Sequence, residues 1–325
     1  MAIAIGVDLG GSNLRIAAIR VADGALVAHH REPVGEPRDP DTIVRRLVAV
    51  IERMRAEAKL EAEAVVPVGI GLAAMLRDTA GTVANSPHLR WRDVPFGRLL
   101  AAALGGRARL GVYNDVNAIA YGEQVHGAAR GVADVLLVFV GTGIGAGVIA
   151  GGRLVEGASS CAGELGHAKV VWGADAAPCA CGGRGCVEAY IGGSYVQARA
   201  RRELAAGARS IATRDTAIDA ITPGDVDRAA AAGDAWALGL WAELAPLLGV
   251  TLANAIAVLN PARLVLGGGM LGRTQVLRAQ VIAALHALAP AASLEPLTVA
   301  DAILGDDAGL VGAALLADAG VSIIC

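Results

Sequence analysis

The sequence has 325 residues, of which 54% are hydrophobic and 18% are charged, and its formal net charge is −3. This apolar content excludes a disordered chain, and the length predicts two lobes or domains rather than a single core. The nearly balanced charge argues against a broad basic surface for nucleic acid. Because the N-terminus lacks a basic segment followed by a long apolar run, we expect no secretory signal and a cytoplasmic location.

The first third of the chain has the pattern of short strands around one helix. Apolar, partly β-branched runs alternate with polar turns that are rich in glycine and aspartate. A segment that begins with a capping aspartate and keeps its apolar side chains on one face predicts a helix. The predicted elements are strands at 3–7 and 14–21, a hairpin turn at Asp23-Gly24, a helix from Asp41 to about Lys59 and a buried strand at 65–71.

The middle of the chain repeats the opening pattern, which predicts a duplicated architecture. Its long uncharged stretches, 135–152 and 244–262, are interpreted as buried strands and a buried helix rather than membrane spans, because they contain six glycines and two prolines respectively. Since no linker rich in Pro and Ser divides the chain, we predict two closely coupled lobes with a boundary near residue 116. The further predicted elements are strands at 135–140, 146–150 and 263–266, and helices at 195–206, 234–259 and 307–319.

Two glycine-rich turns are candidate phosphate loops, Gly10-Gly11-Ser12-Asn13 and Gly141-Thr142-Gly143. Such loops let backbone N–H groups approach phosphate oxygens closely, although each turn by itself is a weak signal. A Walker A loop is excluded, because neither of the two lysines follows a loop of the required spacing. A dinucleotide loop is disfavoured, because the segment after Gly143 has the pattern of a hairpin and not of a helix.

Two aspartates follow predicted strands and each allows two interpretations. Asp8 enters the first glycine turn, where its carboxylate would either hold Mg²⁺ through water or fix the turn by bonding its own backbone. Asp115 lies in the segment Asn114-Asp115-Val116-Asn117, between a short apolar run and a helix. Its carboxylate would either accept a proton from a substrate hydroxyl or cap the helix.

One histidine and three cysteines have the spacing H-x11-C-x-C-x4-C, from His167 through Cys179 and Cys181 to Cys186. A Cys₃His set suits tetrahedral Zn²⁺, and four protein ligands leave no open coordination position. The sequence therefore predicts a structural zinc. Glu164 and Glu188 flank this ligand set, and together with His167 they are candidates to line a pocket for a hydroxyl-rich ligand.

The chain resembles the ROK family of bacterial sugar kinases over essentially its whole length, and within that family it is most similar to the zinc-containing glucokinases. The motifs that carry the resemblance are DLGGSNLR (8–15), NSPHLRW (85–91), NDVNA (114–118), FVGTGIGAG (139–147), AGELGH (162–167), CACGGRGCVEAY (179–190), LGGGM (266–270) and LGDDAGLVGAA (304–314).

The resemblance implies an α/β fold of the two-lobed, actin-like, ribonuclease-H-like type, with ligands in a cleft between the lobes. The implied small lobe is 1–116 with the C-terminal helix 305–325, and the large lobe is 117–304 with the zinc-binding loop 161–190. The implied activity is ATP-dependent phosphorylation of the 6-hydroxyl of a hexose, with Asp115 as the general base. The implied partners are hexose and ATP within a homodimer or homotetramer, with neither nucleic acid nor membrane. The implied site residues are Asn85, Asn114, Asp115, Glu164, His167 and Glu188 for the sugar, Asp8 for Mg²⁺, Gly10, Gly11, Ser12, Asn13, Gly141, Thr142 and Gly143 for phosphates, and Gly268 and Gly269 for the adenosine.

One departure from the family bears on specificity. Family members often have a Pro-Gly pair after the strand at 65–71, whereas this chain has Ala73-Ala74. Glucose is the expected substrate, and an amino sugar, an N-acetylhexosamine or fructose is the alternative. A polyphosphate donor and a non-catalytic sugar sensor also remain open at this point.

Overall fold

The computed structural model describes residues 2–61 and 64–324. The chain divides into two compact units, each built from strands and helices. Unit 1 comprises Met1–Ala133, Gly147–Gly163 and Ala302–Cys325, and unit 2 comprises Asp134–Ala146 and Glu164–Asp301.

The elements are numbered in chain order. The strands in the described residues are β1 (Ile3–Leu9), β2 (Asn13–Arg20), β3 (Leu26–Pro33), β4 (Val66–Leu72), β5 (Met75–Leu76), β6 (Val83–Ser86), β7 (Trp91–Val94), β8 (Ala108–Asn114), β9 (Val135–Val140), β10 (Ile144–Ala150), β11 (Arg153–Leu154), β12 (Arg263–Gly267), β13 (Thr298–Asp301) and β14 (Ile323–Ile324). The α-helices in the same residues are α1 (Pro40–Glu57), α2 (Phe96–Leu104), α3 (Asp115–Val125), α4 (Glu188–Ile191), α5 (Gly193–Ala205), α6 (Pro223–Ala231), α7 (Ala235–Leu259), α8 (Gln275–Leu288), α9 (Ala291–Leu294) and α10 (Ala308–Asp318).

Unit 1 is organised around a six-stranded sheet with the strand order β14-β8-β4-β1-β2-β3. Strands β1, β4 and β8 are parallel, and their register sets Leu9 beside Leu72 and Leu72 beside Asn114. The three strands therefore end at the same edge, where the glycine turn 10–12 and helix α3 follow them. The carboxyl edge of a parallel sheet is the usual position of a ligand site in an open α/β fold.

Both faces of the unit 1 sheet are covered, and the side chains of β1 alternate between them. Ile5, Val7 and Leu9 are buried in the core with α1 and α2, whereas Ala4 packs with α10. Helix α10 approaches the sheet closely, because two strand residues on this face are glycines. A methyl group at Gly6 would overlap the carbonyl of Leu310, and one at Gly69 would overlap the carbonyl of Ala313.

The second sheet has the strand order β11-β10-β9-β12-β13, in which β12 is parallel to both β9 and β13. Strand β10 follows the turn 141–143 directly, so the segment is the predicted hairpin and not the helix that a dinucleotide loop requires. Helices α7 and α8 pack together in unit 2. By length and apolar composition α7 could span a membrane, but Trp241, Leu244 and Leu248 on one face are buried in the protein core.

The predicted elements recur in the structure with boundaries that shift by a few residues. The helix predicted at 234–259 is α7, and the helix predicted at 307–319 is α10, which ends at Asp318 and is shorter than the implied 305–325 helix. Cys325, a cysteine outside the predicted metal-ligand pattern, lies outside the described residues. The predicted lobe boundary near residue 116 falls inside α3, whereas unit 1 continues to Ala133 and resumes with 147–163.

Candidate functional site

In unit 1 the first glycine turn joins β1 to β2, and its backbone is held by hydrogen bonds. The N–H of Gly10 donates to the carbonyl of Asn13 at 3.1 Å, and the carbonyl of Ser12 accepts from the N–H of Val34 at 2.9 Å. The Cα of Gly11 faces His88 so closely that a methyl group there would lie 2.8 Å from the Cβ of that histidine. The turn is therefore fixed at the carboxyl edge of the sheet, as a phosphate loop requires.

Asp8, the residue predicted to assist Mg²⁺, forms an ion pair with Arg15 of β2. The Nε of Arg15 donates to Oδ2 of Asp8 at 3.0 Å, and another guanidinium nitrogen donates to the carbonyl of Asp306 at 2.6 Å. A carboxylate that is already paired with arginine suits a metal held through water better than a metal bound directly. Arg15 belongs to the family motif at 8–15, but its role as the partner of Asp8 was not predicted.

Asn114 and Asp115 stand at the junction between β8 and α3. The Oδ1 of Asn114 accepts from the N–H groups of Val116 and Asn117 at 2.9 and 3.2 Å, and its Nδ2 donates to the carbonyl of Ala74 at 3.4 Å. Asn114 is thus the N-cap, and Asp115 is the first residue of α3 rather than its cap. A carboxylate in the first turn of a helix interacts favourably with the positive end of the helix dipole.

Asn85, the remaining predicted sugar contact of unit 1, lies in β6 opposite Met75 and Arg92. The small sheet β5-β6-β7 presents it. The neighbouring Ser86 is fully buried and donates to the carbonyl of Ala73 at 3.1 Å, so it ties this sheet to the segment that departs from the family pattern.

In unit 2 the four predicted metal ligands form one cluster. Their ligand atoms all lie within 4.8 Å of one another. The Sγ of Cys181 is 3.7 Å from the Sγ of Cys186, and the Sγ of Cys179 is 3.7 Å from Nδ1 of His167. Zinc–sulfur bonds of about 2.3 Å in a tetrahedron give sulfur–sulfur separations of about 3.8 Å, so the donor set and its spacing fit a tetrahedral ion.

The loop that carries the cluster is folded by short backbone contacts. Cys179 N–H donates to the carbonyl of Gly183 at 2.9 Å, and Gly182 N–H donates to the carbonyl of Cys179 at 3.0 Å. The N–H of Gly183 also donates to the Sγ of Cys181 at 3.4 Å. Although burial acts in the opposite direction, this donor contributes to lowering the pKa of the Cys181 thiol, whereas burial raises the pKa of Cys179.

A residue that sequence reasoning assigned no role also contacts the cluster. The ammonium of Lys169 donates to the Sγ of Cys186 at 2.9 Å. From the sequence alone, Lys169 is considered only because its position does not fit a Walker A loop. Its proximity to the ligand set along the chain was the available signal, since it is two residues after His167.

The two ring nitrogens of His167 face different partners, one inside the predicted ligand cluster and one outside it. Nδ1 faces Cys179, whereas Nε2 lies 3.7 Å from Oε2 of Glu164. Burial raises the pKa of the Glu164 carboxyl, His167 opposes this increase, and the negative charge of Glu188 adds to it. The metal cluster and the predicted sugar contacts Glu164, His167 and Glu188 are therefore contiguous in unit 2.

Glu188 connects the cluster to the second glycine turn. Its Oε2 accepts from the N–H of Ile144 at 2.8 Å, and its Oε1 is 3.8 Å from the Sγ of Cys179. A methyl group at Gly143 would overlap the Glu188 carboxylate. The carbonyl of Thr142 accepts from both the N–H and the hydroxyl of Ser194, which fixes the turn against the start of α5.

The predicted adenosine contacts Gly268 and Gly269 follow β12 directly. Gly268 has φ +95° and its Cα faces the backbone of Val140, so a side chain is excluded there for structural reasons alone. The N–H of Met270 donates to the carbonyl of Val140 at 3.0 Å and holds this turn beside β9. Unit 2 thus brings both of its glycine turns, 141–143 and 268–269, to the ends of the neighbouring strands β9 and β12.

A sequence profile of the ROK family matches residues 4–319. The chain belongs to the ROK family. The glucokinase of Streptomyces coelicolor is 32% identical to this ROK protein over 324 residues, which cover 98% of each chain. The N-acetylmannosamine kinase of Citrobacter koseri is 33% identical over 319 residues, which cover 96% of this chain and 98% of the relative. The xylose repressor of Caldicellulosiruptor bescii is 29% identical over 266 residues, 81% of this chain and 65% of the repressor.

A solved structure shares the whole fold of this ROK protein. The ROK family glucokinase from Streptomyces griseus, in complex with glucose and AMPPNP, has a TM-score of 0.79 and 30% identity, and the match covers 98% of this chain and 100% of that chain. The predicted family and the actin-like α/β fold class are therefore confirmed.

Proposed function

We propose that the chain is a sugar kinase that transfers the γ-phosphoryl group of Mg-ATP to the 6-hydroxyl of a hexose, with glucose as the substrate. The observation that carries this proposal is the position of Asp115 at the start of α3, beside the carboxyl edge of β1, β4 and β8. The full-length similarity to a glucokinase supports the same activity.

Phosphoryl transfer to an alcohol is catalysed mainly by positioning and by stabilising charge. In this proposal the Asp115 carboxylate accepts the proton of the hydroxyl and orients its oxygen for attack on the γ-phosphorus. The Asn114 side chain caps α3 and so holds the backbone that carries Asp115. The turns 10–13 and 141–143 would bind phosphate oxygens, Gly268 and Gly269 would lie near the adenosine, and Asp8, restrained by Arg15, would hold the Mg²⁺ that neutralises phosphate charge.

The sugar is assigned to six side chains: Asn85, Asn114, Asp115, Glu164, His167 and Glu188. Carboxylates and amides are suited to a hexose, because each accepts or donates hydrogen bonds to neighbouring hydroxyls. The raised pKa of Glu164 and the two-sided contacts of Glu188 support a local environment built for a polar ligand.

We also propose that the cluster of His167, Cys179, Cys181 and Cys186 holds a structural Zn²⁺. Nδ1 of His167 would bind the metal and leave Nε2 for the sugar, so the metal would fix the tautomer and the direction of the ring. With four protein ligands no coordination position remains for substrate, and the ion serves to shape the pocket.

The similarity to an N-acetylmannosamine kinase supports a second candidate, phosphorylation of an amino sugar. Ala73-Ala74 borders the small sheet of Asn85, and it stands where family members often have Pro-Gly. Measuring kcat/KM for glucose, glucosamine, N-acetylglucosamine, N-acetylmannosamine and fructose decides between the candidates. Highest kcat/KM for glucose supports the first, and no turnover of any sugar, with either ATP or polyphosphate, would overturn the kinase in favour of a sugar sensor.

The proposed base is tested by Asp115→Asn, which keeps the shape of the side chain and removes its basicity. We expect kcat to fall about 100- to 10,000-fold, the range typical of general-base catalysis, with the dissociation constant for glucose little changed. Asp23→Asn, at a half-exposed aspartate of the first hairpin, is the matched control, and we expect it to keep full activity. A normal kcat in Asp115→Asn would exclude Asp115 as the base.

Location and assembly follow from the family resemblance. We propose a cytoplasmic homodimer or homotetramer, and light scattering of the purified chain measures the number of subunits.

A further inference from the structure

Lys169 is one of two lysines in this chain, and its ammonium contacts the cluster of predicted metal ligands. The chain has 28 lysines and arginines, and only Lys59 and Lys169 are lysines. The ammonium of Lys169 is 2.9 Å from the Sγ of Cys186, a fully buried member of the metal cluster. An exposed lysine normally extends into water, so a contact of this kind indicates a specific role.

The backbone sets this contact. Lys169 and Cys186 form an isolated antiparallel β-bridge. It is flanked by the hydrogen bonds from the N–H of Val170 to the carbonyl of Gly185 and from the N–H of Val187 to the carbonyl of Ala168, both 2.9 Å. Residues directly opposite each other in such a pair project to the same side with their Cβ atoms about 5 Å apart.

The cluster also leaves room for the ammonium group. A methyl group at Gly183 would lie 2.8 Å from the Nζ of Lys169 and 3.5 Å from the Sγ of Cys181. The absence of a side chain at position 183 therefore leaves space for the amine that contacts Cys186, whereas the Sγ of Cys181 would meet the methyl group only at an ordinary van der Waals distance.

The net negative charge of the zinc-bound ligand set explains why a cation is favourable at this contact. Three thiolates and one neutral imidazole around Zn²⁺ carry a net charge of −1, and the Glu188 carboxylate lies 3.8 Å from the Sγ of Cys179. Excess negative charge weakens the binding of every thiolate, and hydrogen bonds to the ligand atoms offset it. Cys181 receives such a bond from the N–H of Gly183, and Cys186 receives one from Lys169.

We propose that Lys169 is a positioning residue of the metal centre, which holds the Cys186 thiolate in place and neutralises the net negative charge of the bound cluster. This inference rests on the proposed zinc site. Lysine suits the task because its ammonium is a compact charge that can approach one sulfur atom, whereas the planar guanidinium of arginine is matched to two acceptors.

The test compares Lys169→Met, which keeps the length of the side chain and removes its charge, with Lys59→Met, which removes the same charge from an exposed position in unit 1. Zinc affinity is measured by competition with a chromogenic chelator. We expect Lys169→Met to bind zinc about 10- to 100-fold more weakly, the usual effect of losing a partner of a metal ligand, and Lys59→Met to match the wild type. Lys169→Arg restores the charge but not the fit, and an intermediate affinity is expected.

A role for Lys169 in folding alone, with no effect on the metal, predicts a different pattern of melting temperature and zinc affinity. It would lower the melting temperature of the metal-free protein and leave zinc affinity unchanged, and that result would overturn the inference. We expect the metal-free melting temperatures of Lys169→Met and Lys59→Met to agree.

The wild type separates this inference from the zinc proposal. A wild-type chain that binds no stoichiometric zinc would overturn the zinc site and this inference with it. If the wild type and Lys169→Met each bind one zinc with equal affinity, this inference is wrong and the zinc site is unaffected.

Discussion

Glu188 contacts both the cluster of predicted metal ligands and the glycine turn 141–143 in unit 2. One carboxylate oxygen accepts from the N–H of Ile144 directly after the turn, and the other lies beside the ligand Cys179. Gly143 provides the space for this carboxylate, because any side chain at that position would overlap it. The orientation of a proposed sugar ligand and the shape of a proposed phosphate loop thus depend on one side chain.

Gly143→Ala tests this dependence. The added methyl group has to displace the Glu188 carboxylate, so we expect a loss of kcat/KM of about 10-fold or more from a shift of the reacting groups. Steady-state kinetics measures the effect. The matched control is Gly239→Ala, at an exposed position in α7 where the added methyl would meet no described residue outside the helix within 4 Å. Alanine there should leave the kinetics unchanged and stabilise the helix by up to about 1 kcal/mol. Equal kinetics in the two variants would contradict the role given to Glu188.

At this scale the sequence predicts ligands better than it predicts their partners. The cluster of His167 and three cysteines was predictable because soft ligands at such short spacing, in a polar segment rich in glycine, are typical of a metal site and not of core packing. The identity of the α3 cap was not, because Asn114 and Asp115 are both good caps and only the backbone decides between them. The pairing of Asp8 with Arg15 depends on the register of β1 and β2, which composition does not reveal.

Among the elements, α6 shows how a short helix is stabilised at its N-terminus. Thr222 and Asp225 form a reciprocal capping box, and Arg228 pairs with the same carboxylate. Burial raises the pKa of Asp225, but the bonds from Thr222 and the charge of Arg228 outweigh it and hold this pKa below its ordinary value of 3.8. The carboxylate therefore stabilises the folded state only while it is ionised.

Asp225→Asn should lower the free energy of unfolding by about 1 kcal/mol at neutral pH. Because the folded pKa is depressed, the contribution of Asp225 is fully present above the unfolded pKa and is lost as the pH falls through the folded pKa. Urea unfolding of both proteins at about pH 6 and about pH 3 should show the difference shrinking in acid. Asp219→Asn, at an exposed aspartate, serves as the control, and a difference that grew in acid would contradict the assignment.

The contact between α10 and the sheet of unit 1 depends on glycine. We expect Gly69→Ala to lower the free energy of unfolding by about 1–3 kcal/mol, because the methyl group would overlap the carbonyl of Ala313 and force helix and strand apart. Urea unfolding measures the change. At Gly272 an added methyl would meet no described residue within 4 Å apart from its chain neighbours, so Gly272→Ala should differ from the wild type by less than about 0.5 kcal/mol. A neutral Gly69→Ala would mean that the helix does not approach the strand this closely.

Elements were predictable where a periodic apolar pattern was long, as in α7, whose buried face repeats through Leu240, Leu244, Leu248 and Leu252. Helix α10 was predictable as a helix, and the family resemblance assigned it to the small lobe, but the strand residues that it contacts were not predictable. It is apolar on all sides and nearly all of its residues are buried, so no amphipathic face identifies the surface that it covers. The glycines that receive it, Gly6 and Gly69, lie far away in the sequence.

For the molecule as a whole, the proposed zinc site links stability to ligand binding. Cys181→Ala removes one metal ligand, so we expect zinc to be lost, the melting temperature to fall and the dissociation constant for sugar to rise about 10-fold or more as His167 loses its fixed direction. Metal analysis, thermal melting and sugar titration measure the three effects. Cys161→Ala removes a thiol of unit 1 that bonds the carbonyl of Leu76, and it should retain zinc and sugar affinity. Metal-free protein that stays folded and binds sugar normally would contradict this coupling.

The assignment of chain segments to the two units was harder to predict than the strands and helices within each unit. The predicted boundary near residue 116, with the C-terminal helix joined to the small lobe, makes the small lobe two segments and the large lobe one, whereas unit 1 is built from three segments and unit 2 from two. Apolar content does not distinguish these cases, because the chain passes from one unit to the other after residues 133, 146, 163 and 301, which lie in short connections or within a strand. The duplicated strand–turn–strand pattern was the best indication that two similar cores exist.

The interleaved order of segments has a consequence for biosynthesis. A ribosome translates all of unit 2 before it reaches residue 302, so the unit that contains residues 2–133 is the second one to be completed. Until α10 emerges, the nascent chain cannot cover the sheet face formed by Ala4, Ala17 and Ile19. Transiently exposed apolar surface of this kind is a substrate for chaperones and a route to aggregation. A chain that lacks residues 302–325 should therefore expose this sheet face and be bound by chaperones.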